Sequence, residues 1–181
     1  MIIFVGLAGS GKTLQGRLLT QKIGAIYVSI GELLRENVDP EIKEKMLTGE
    51  LIGDDDVIKL LDLALPAKDQ TMQESILDGF PRTLKQVEWL VQQVKKGRIK
   101  VNGVIHLIAS PDVVVPRLLE RSRPDDHMEA IKVRIDEYNQ MILPIIQRLK
   151  GEGIKVYDVN GEQTIEEVQK EIITKLNLDI R

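Results

Sequence analysis

The sequence predicts an α/β fold: a central parallel five-stranded sheet with helices on both faces, in a single domain over residues 1–181. Three observations predict it. Short apolar runs alternate along the chain with stretches at helical spacing, the order of parts in a parallel sheet covered on both sides. A glycine-rich loop, Gly6-Leu7-Ala8-Gly9-Ser10-Gly11-Lys12-Thr13, joins the first apolar run to the first helical stretch. With 181 residues, 43% of them hydrophobic, the chain can bury one substantial core but is short for two.

Met1 to Val5 is the first apolar run, ended by Gly6. The helix after the loop carries Leu14, Leu18 and Leu19 and stops near Gly24. Ala25 to Val28 is the second strand. Ser29 and Glu32 have capping-box spacing and open a short helix through Leu33, Leu34 and Arg35. Asp39-Pro40 opens another, with the cap before a proline at the first helical position, and Gly49 closes it. Asp54 is expected to cap a third, ending before Pro66. Residues 30–59 are therefore short polar helices with few apolar positions, the composition of a small mobile insertion rather than of core. Ser75 to Asp78 is the third strand, followed by a helix from Thr83 to Gly97 with Thr83 and Gln86 spaced as a capping box. Gly103 to Ala109 is the fourth strand, and Ser110-Pro111-Asp112 starts the helix bearing Arg117 and Arg121. A helix from about Asp125 to Lys150, interrupted at Pro144, leads to a fifth strand, Ile154 to Val159. Thr164, with Glu167 as its capping-box partner, begins an amphipathic last helix.

Composition narrows the function classes. The 25 basic and 28 acidic residues give a net charge of −3, no electrostatic footprint for nucleic acid. There is no cysteine, so disulfides, thiolate zinc sites and thiol redox chemistry are excluded. No segment reaches the ~20 apolar residues of a membrane span, and the start of the chain has no leader-like run. A soluble cytoplasmic protein, monomeric or a small homo-oligomer, is the expectation.

Two stretches carry chemistry. The G-x-x-x-x-G-K-T loop between strand and helix is the arrangement that cradles phosphates: glycines turn backbone N–H groups inward, and the helix start adds unpaired donors and a positive dipole end. Lys12 can reach the outer phosphates, and the Thr13 hydroxyl can meet a magnesium ion. The second stretch is Asp78-Gly79-Phe80-Pro81-Arg82-Thr83. A carboxylate ending a buried strand beside such a loop suits magnesium held through its waters, although Asp78 could also serve backbone donors of the turn. Arg35, Arg82, Arg117, Arg121, Arg123 and Arg134 all fall where they could face the strand ends, and Arg117 and Arg121 share one helical face. Converging on one cleft, they would grip phosphate oxygens with forked donors. His106, His127, Trp89 and the methionines read as structure.

These stretches, with Val28 to Arg35, Gly49-Glu50-Leu51-Ile52, Gln86, and Arg123-Pro124-Asp125-Asp126 followed by Arg134, resemble the adenylate kinases among the nucleoside monophosphate kinases. The matches occur in family order over nearly the whole chain. The resemblance implies the P-loop kinase fold, with a core of residues 1–29 and 60–181, an acceptor-binding insertion at 30–59 and a lid reduced to about 121–126. It implies transfer of the γ-phosphoryl group of ATP to AMP, with magnesium, in nucleotide biosynthesis. Gly9, Ser10, Gly11, Lys12, Thr13, Leu14, Arg117 and Arg121 would serve ATP. Ile30, Gly31, Arg35, Glu50, Leu51, Ile52, Gly79, Phe80, Arg82, Gln86, Arg123 and Arg134 would serve AMP. Lys12, Arg82, Arg121, Arg123 and Arg134 would act on the transferring group, and Thr13 and Asp78 on the metal. Gln86 could pair with the acceptor base or complete its capping box. A pyrimidine or broad-specificity monophosphate kinase is the near alternative, and a P-loop ATPase or nucleotide-binding regulator the remote one.

The sequence departs from the family in three places. The loop ends Lys12-Thr13-Leu14 where the family has Lys-Gly-Thr, moving the hydroxyl. Ile30 replaces a common threonine, so looser base selectivity is expected. Only Ser122 separates Arg121 from Arg123, where the family has a lid over ATP. Without cysteine, a zinc-bearing lid is excluded, and shielding falls to the 30–59 insertion or a neighbouring subunit. Pro116, inside the preceding helix, is expected to bend the segment presenting Arg117 and Arg121.

Overall fold

The computed structural model describes residues 1–36, 40–65 and 75–179. Its elements in order are β1 (Ile2–Gly6), α1 (Lys12–Ile23), β2 (Ile26–Ser29), α2 (Ile30–Glu36), α3 (Pro40–Thr48) and α4 (Asp54–Ala64). There follow β3 (Ser75–Asp78), α5 (Leu84–Lys95), β4 (Gly103–Ile108), α6 (Pro111–Arg121), α7 (Met128–Gly151), β5 (Val156–Asn160) and α8 (Ile165–Leu176). The strands form one parallel sheet in the order β2-β3-β1-β4-β5. The expected α/β architecture is therefore the one observed.

Period-two alternation along β1 divides the core. Ile3 and Val5 point to the face where Leu77, Val104, Leu90 of α5 and Leu149 of α7 are buried. Ile2 and Phe4 point to the other, with Ile76, Ile105, Leu19 of α1 and Ile172 of α8. Both faces are covered, so the central strands read as continuous apolar runs. Register places Phe4 opposite Asp78, and Asp78 opposite Ser29, so β2 and β3 end level with each other and β1 runs two residues further, to Gly6, where the loop begins.

Some local expectations need correction. Asp54 is not a cap: Gly53 occupies that position without a side-chain bond, and the Asp54 carboxylate is taken by Thr83 and Gln86. The Ser29 hydroxyl accepts from the Glu32 N–H at 3.4 Å, but Glu32 turns its carboxylate to Arg17. Thr83 likewise accepts from the Gln86 N–H at 3.2 Å, while the Gln86 side chain goes elsewhere. Only Thr164 and Glu167 complete their box among these pairs. The helix α7 begins at Met128, not Asp125, because Asp125 and Asp126 are engaged by arginines and His127 is the cap. It also runs unbroken through Pro144. One lost backbone bond is outweighed there by burial of Ile142, Ile145, Ile146 and Leu149. Pro116 lies inside α6, which continues to Arg121. The expected cap at Asp39 lies outside the described residues, while α4 ends at Ala64, before Pro66 as expected. Finally, the few apolar residues of 30–59 are not spare: Ile30, Leu34, Ile52 and Val57 are buried in the same cluster as Phe80 and Leu90.

Candidate active site

The glycine-rich loop is shaped by contacts a side chain would break. A Cβ on Gly6 would stand 2.3 Å from the Leu107 carbonyl oxygen on neighbouring β4. Gly11, with φ of 103°, ends the loop in a left-handed turn without a side-chain cap. The first-turn N–H groups of α1 are thus left to an anion. Lys12 donates from Nζ to the carbonyls of Gly6 (2.7 Å) and Leu7 (2.9 Å). Burial brings its pKa down to about 8; Asp78 opposes the shift, while Arg82, Arg121 and Arg134 add to it.

Asp78, at the end of β3, is buried. One of its oxygens, Oδ2, accepts from the Thr13 hydroxyl at 2.8 Å and from the Tyr27 phenol at 2.6 Å. Beyond it the chain turns at Gly79 (φ 82°), and Arg82 folds back to donate from Nε to the Gly79 carbonyl at 3.0 Å. A Cβ on Gly79 would meet the Arg82 guanidinium at 3.0 Å, which accounts for glycine there.

The arginines do converge. A cleft of about 480 Å³ beyond the strand ends is walled by Lys12, Asp78, Arg35, Arg82, Arg117, Arg121, Arg123 and Arg134. Among the described residues, Arg35, Arg82, Arg117 and Arg123 have no carboxylate within ion-pair distance. Burial lowers the pKa of both Arg82 and Arg123, with neighbouring arginines adding to the effect. Arg117 spans from α6 to the Gly161 carbonyl at 3.1 Å. Arg121 and Arg134 are held differently. Arg121 forks onto Asp126 at 2.8 and 2.7 Å, and Arg134 reaches Asp125 at 3.2 Å and Asp126 at 3.3 Å.

Asp126 has a fully buried side chain, and it also accepts from the Arg123 N–H at 3.1 Å. Burial alone would raise its pKa, but the Arg121 hydrogen bonds and the other donors outweigh it and hold it below 3.8. The stability it contributes is therefore complete above that ordinary carboxylate value and is lost as pH falls below it. Asp126→Ala should destabilise the fold by about 3 kcal/mol, the scale of breaking a buried pair. Urea unfolding at neutral pH reads this directly, and an unchanged midpoint would remove Asp126 from that role.

Most of the expected site residues line this cleft: Gly9, Gly11, Thr13, Leu14, Ile30, Gly31, Glu50, Leu51, Ile52, Gly79 and Gln86 stand with the residues above. Two do not. Ser10 is buried, its hydroxyl without a hydrogen-bond partner among the described residues, and Phe80 is core, packed edge-on against Trp89 at 5.7 Å. Gln86 does line the cleft, but its amide is already occupied: Oε1 accepts from the Arg82 N–H and Nε2 donates to Asp54, both at 2.8 Å.

Sequence reasoning missed Arg17, Tyr27 and Glu137. Arg17 lies one turn beyond Thr13 on α1 and lines the cleft, a spacing that could have revealed it. Glu137 accepts from the Leu51 N–H at 3.1 Å and His127 donates to the Leu47 carbonyl at 2.9 Å, tying residues 47–51 to α7. No local pattern announces either contact.

Comparison with known proteins agrees with this geometry. The adenylate kinase family model matches residues 4–154. The chain belongs to the adenylate kinase family. It is 32% identical to the adenylate kinase of Corynebacterium aurimucosum, over 93% of this chain and 94% of that one. It is also 32% identical to the adenylate kinase of Prochlorococcus marinus strain AS9601, over 97% of each chain. The adenylate kinase of Corynebacterium glutamicum strain R is 30% identical, over 97% of this chain and 98% of its own. In this family member the residues between α6 and α7 are only 122–127. Among the described residues, no helix is long and apolar enough to cross a membrane.

Proposed function

We propose that this chain is a magnesium-dependent phosphotransferase that moves the γ-phosphoryl group of ATP to AMP, giving two ADP. The observation that carries the reading is a cleft in which a phosphate loop faces Arg35, Arg82, Arg117 and Arg123, which have no carboxylate partner among the described residues. Such cations are costly to hold together unless an anionic ligand compensates them. One bound triphosphate would leave several of them unanswered; two phosphorylated ligands would not.

The residues fit magnesium. Asp78 and Thr13 offer hard oxygens 2.8 Å apart beside the loop. Among the described residues no cluster of three or more acidic or histidine ligands exists to hold a metal alone. Magnesium is commonly bound by one or two carboxylates with substrate phosphates and waters. When bound, it would neutralise phosphate charge.

The acceptor needs no general base. The second pKa of a phosphomonoester is about 6, so near pH 7 the AMP phosphate is mostly a dianion. One of its oxygens forms the new bond to the γ-phosphorus as the bond to the β,γ-bridging oxygen breaks. The protein aligns the two and supplies positive charge. Lys12 and the α1 N-terminus serve the ATP phosphates, Arg117 and Arg121 the donor side. Arg35, Arg82, Arg123 and Arg134 serve the acceptor phosphate, with residues 30–59 as the acceptor insertion. Cytoplasmic localisation belongs to the same reading.

Base selectivity is looser than in a strict adenylate kinase. Ile30 offers no polar contact, and Gln86 must release Arg82 or Asp54 before it can meet a base. Relative rates with AMP, CMP, UMP and GMP read this; a clear preference for CMP or UMP would replace AMP as the acceptor.

With the lid reduced to about 121–126, water is poorly excluded from the donor side. ADP formation from ATP should rise strongly on adding AMP, over an appreciable acceptor-free background. A rate indifferent to every monophosphate would leave a simple ATPase. A negligible background from a monomer would show that something else covers ATP.

A further inference from the structure

Asp78 is held by a side chain that none of the roles above uses. Tyr27, on β2, is paired with Ile76, two residues before Asp78 on the same face of the sheet. Its ring runs toward the strand ends, and its phenol donates to Asp78 Oδ2 at 2.6 Å. Thr13 is the second donor to that oxygen, at 2.8 Å. Thr13 is also the hydroxyl assigned to the metal, so Tyr27 is the donor devoted to Asp78. Among the described residues, no hydrogen bond reaches the other oxygen, Oδ1.

A second observation, on another element, points to the same ring. Gly16 lies inside α1, where glycine lowers helix stability relative to alanine. A Cβ there would stand 2.7 Å from Tyr27 Cε2, and the next neighbour outside that ring is Ile76 Cγ2 at 3.5 Å. The helix thus accepts a weak residue at the one place that lets the tyrosine pass beneath it to Asp78. The outer face of the ring is covered by Arg17, whose guanidinium carbon sits 4.9 Å from the ring centroid. Arg17 in turn donates from Nη2 to both carboxylate oxygens of Glu32 on α2, each at 2.8 Å. The phenol pKa is raised, by burial first and by Asp78 next, which keeps the hydroxyl a donor throughout the neutral range.

We propose that Tyr27 is a positioning residue for phosphoryl transfer: it fixes the Asp78 carboxylate with one oxygen satisfied and the other left for the magnesium–phosphate assembly. The ring is seated by Gly16 on one side and by the Arg17–Glu32 pair on the other. Because Glu32 lies in α2, the first helix of the acceptor insertion, the setting of the carboxylate is linked to the helix that opens that segment. The inference rests on the reading of Asp78 as the metal-facing carboxylate.

The test is calorimetric binding of ATP to the full chain, once with magnesium chloride and once with EDTA, for wild type, Tyr27→Phe, Gly16→Ala and Asp78→Asn. Wild type should bind ATP more tightly with magnesium. Tyr27→Phe keeps the ring and loses only the hydroxyl. It should reduce the magnesium-dependent gain by on the order of 10-fold, the usual loss on removing a partner of a metal-facing ligand. Its affinity in EDTA and its melting temperature should stay at the wild-type values. Gly16→Ala keeps the hydroxyl but displaces the ring, and should show the same selective loss. A full magnesium gain in Tyr27→Phe, with the gain lost in Asp78→Asn, overturns the role of Tyr27 and leaves the metal reading standing. Equal weakening in magnesium and EDTA makes Tyr27 merely structural and also overturns it. No magnesium gain in wild type removes both readings.

Discussion

Replacing Lys12 by methionine should lower turnover about 10³-fold while leaving the protein as stable as before or more so. The size follows from removing a preorganised donor aimed at developing charge, worth about 4 kcal/mol at the upper end. The stability half follows from the lowered pKa. Burial takes the ammonium from 10.5 to about 8, so protonating this lysine favours the unfolded chain. That penalty is fully present below about pH 8 and disappears as pH rises through 10.5. Methionine keeps the stem and removes the penalty at neutral pH. Bound phosphate should reverse the shift, so ATP binding near pH 8 should take up a proton in wild type and not in Lys12→Met. Calorimetry in buffers of different ionisation enthalpy reads the uptake, and melting curves read stability. A variant that melts well below wild type would mean that the Gly6 and Leu7 carbonyls depend on Lys12.

The order of elements was legible because strand and helix periods are local signals. So was the loop, since only its glycine spacing fits a strand-to-helix phosphate turn. What failed were statements about where a polar side chain spends its hydrogen bonds. Glu32 and Gln86 both stand at capping-box spacing, yet each finds a better partner from a distant element: Arg17 across from α1, and the Arg82 N–H with Asp54. Among the described residues Thr164 and Glu167 have no such competitor, and their box closes. Pro144 misled for a similar reason, because tertiary burial of its neighbours overrides a local breaker. In the site, the arginines were legible as a set but not as two kinds. Their division depends on Asp125 and Asp126 folding back between α6 and α7, which no spacing encodes. Tyr27 was invisible because its phenol reaches Asp78 across a strand pairing of residues 51 apart.

That division of the arginines makes the other large effect. Arg82→Ala should lower kcat/KM by about 10²–10³-fold, or about 3–4 kcal/mol of transition-state stabilisation. Little or no stability should be lost. Among the described residues Arg82 has no carboxylate partner, and its Nε bond goes to the carbonyl of nearby Gly79. Burial lowers its pKa, with Asp78 and Glu137 only partly offsetting that cost, so folding gains little from its charge. Asp126→Ala should show the opposite pattern, with stability falling first. A site built for folding would lose stability from both changes. A site that holds free positive charge for an incoming phosphate loses catalysis alone from the first. Kinetics and urea unfolding on the two variants therefore separate the readings, and near wild-type turnover in Arg82→Ala would take that residue out of the acceptor site. If stability also fell by several kcal/mol, the Arg82 charge would be compensated within the protein, and the argument for a second phosphorylated ligand would lose its main support.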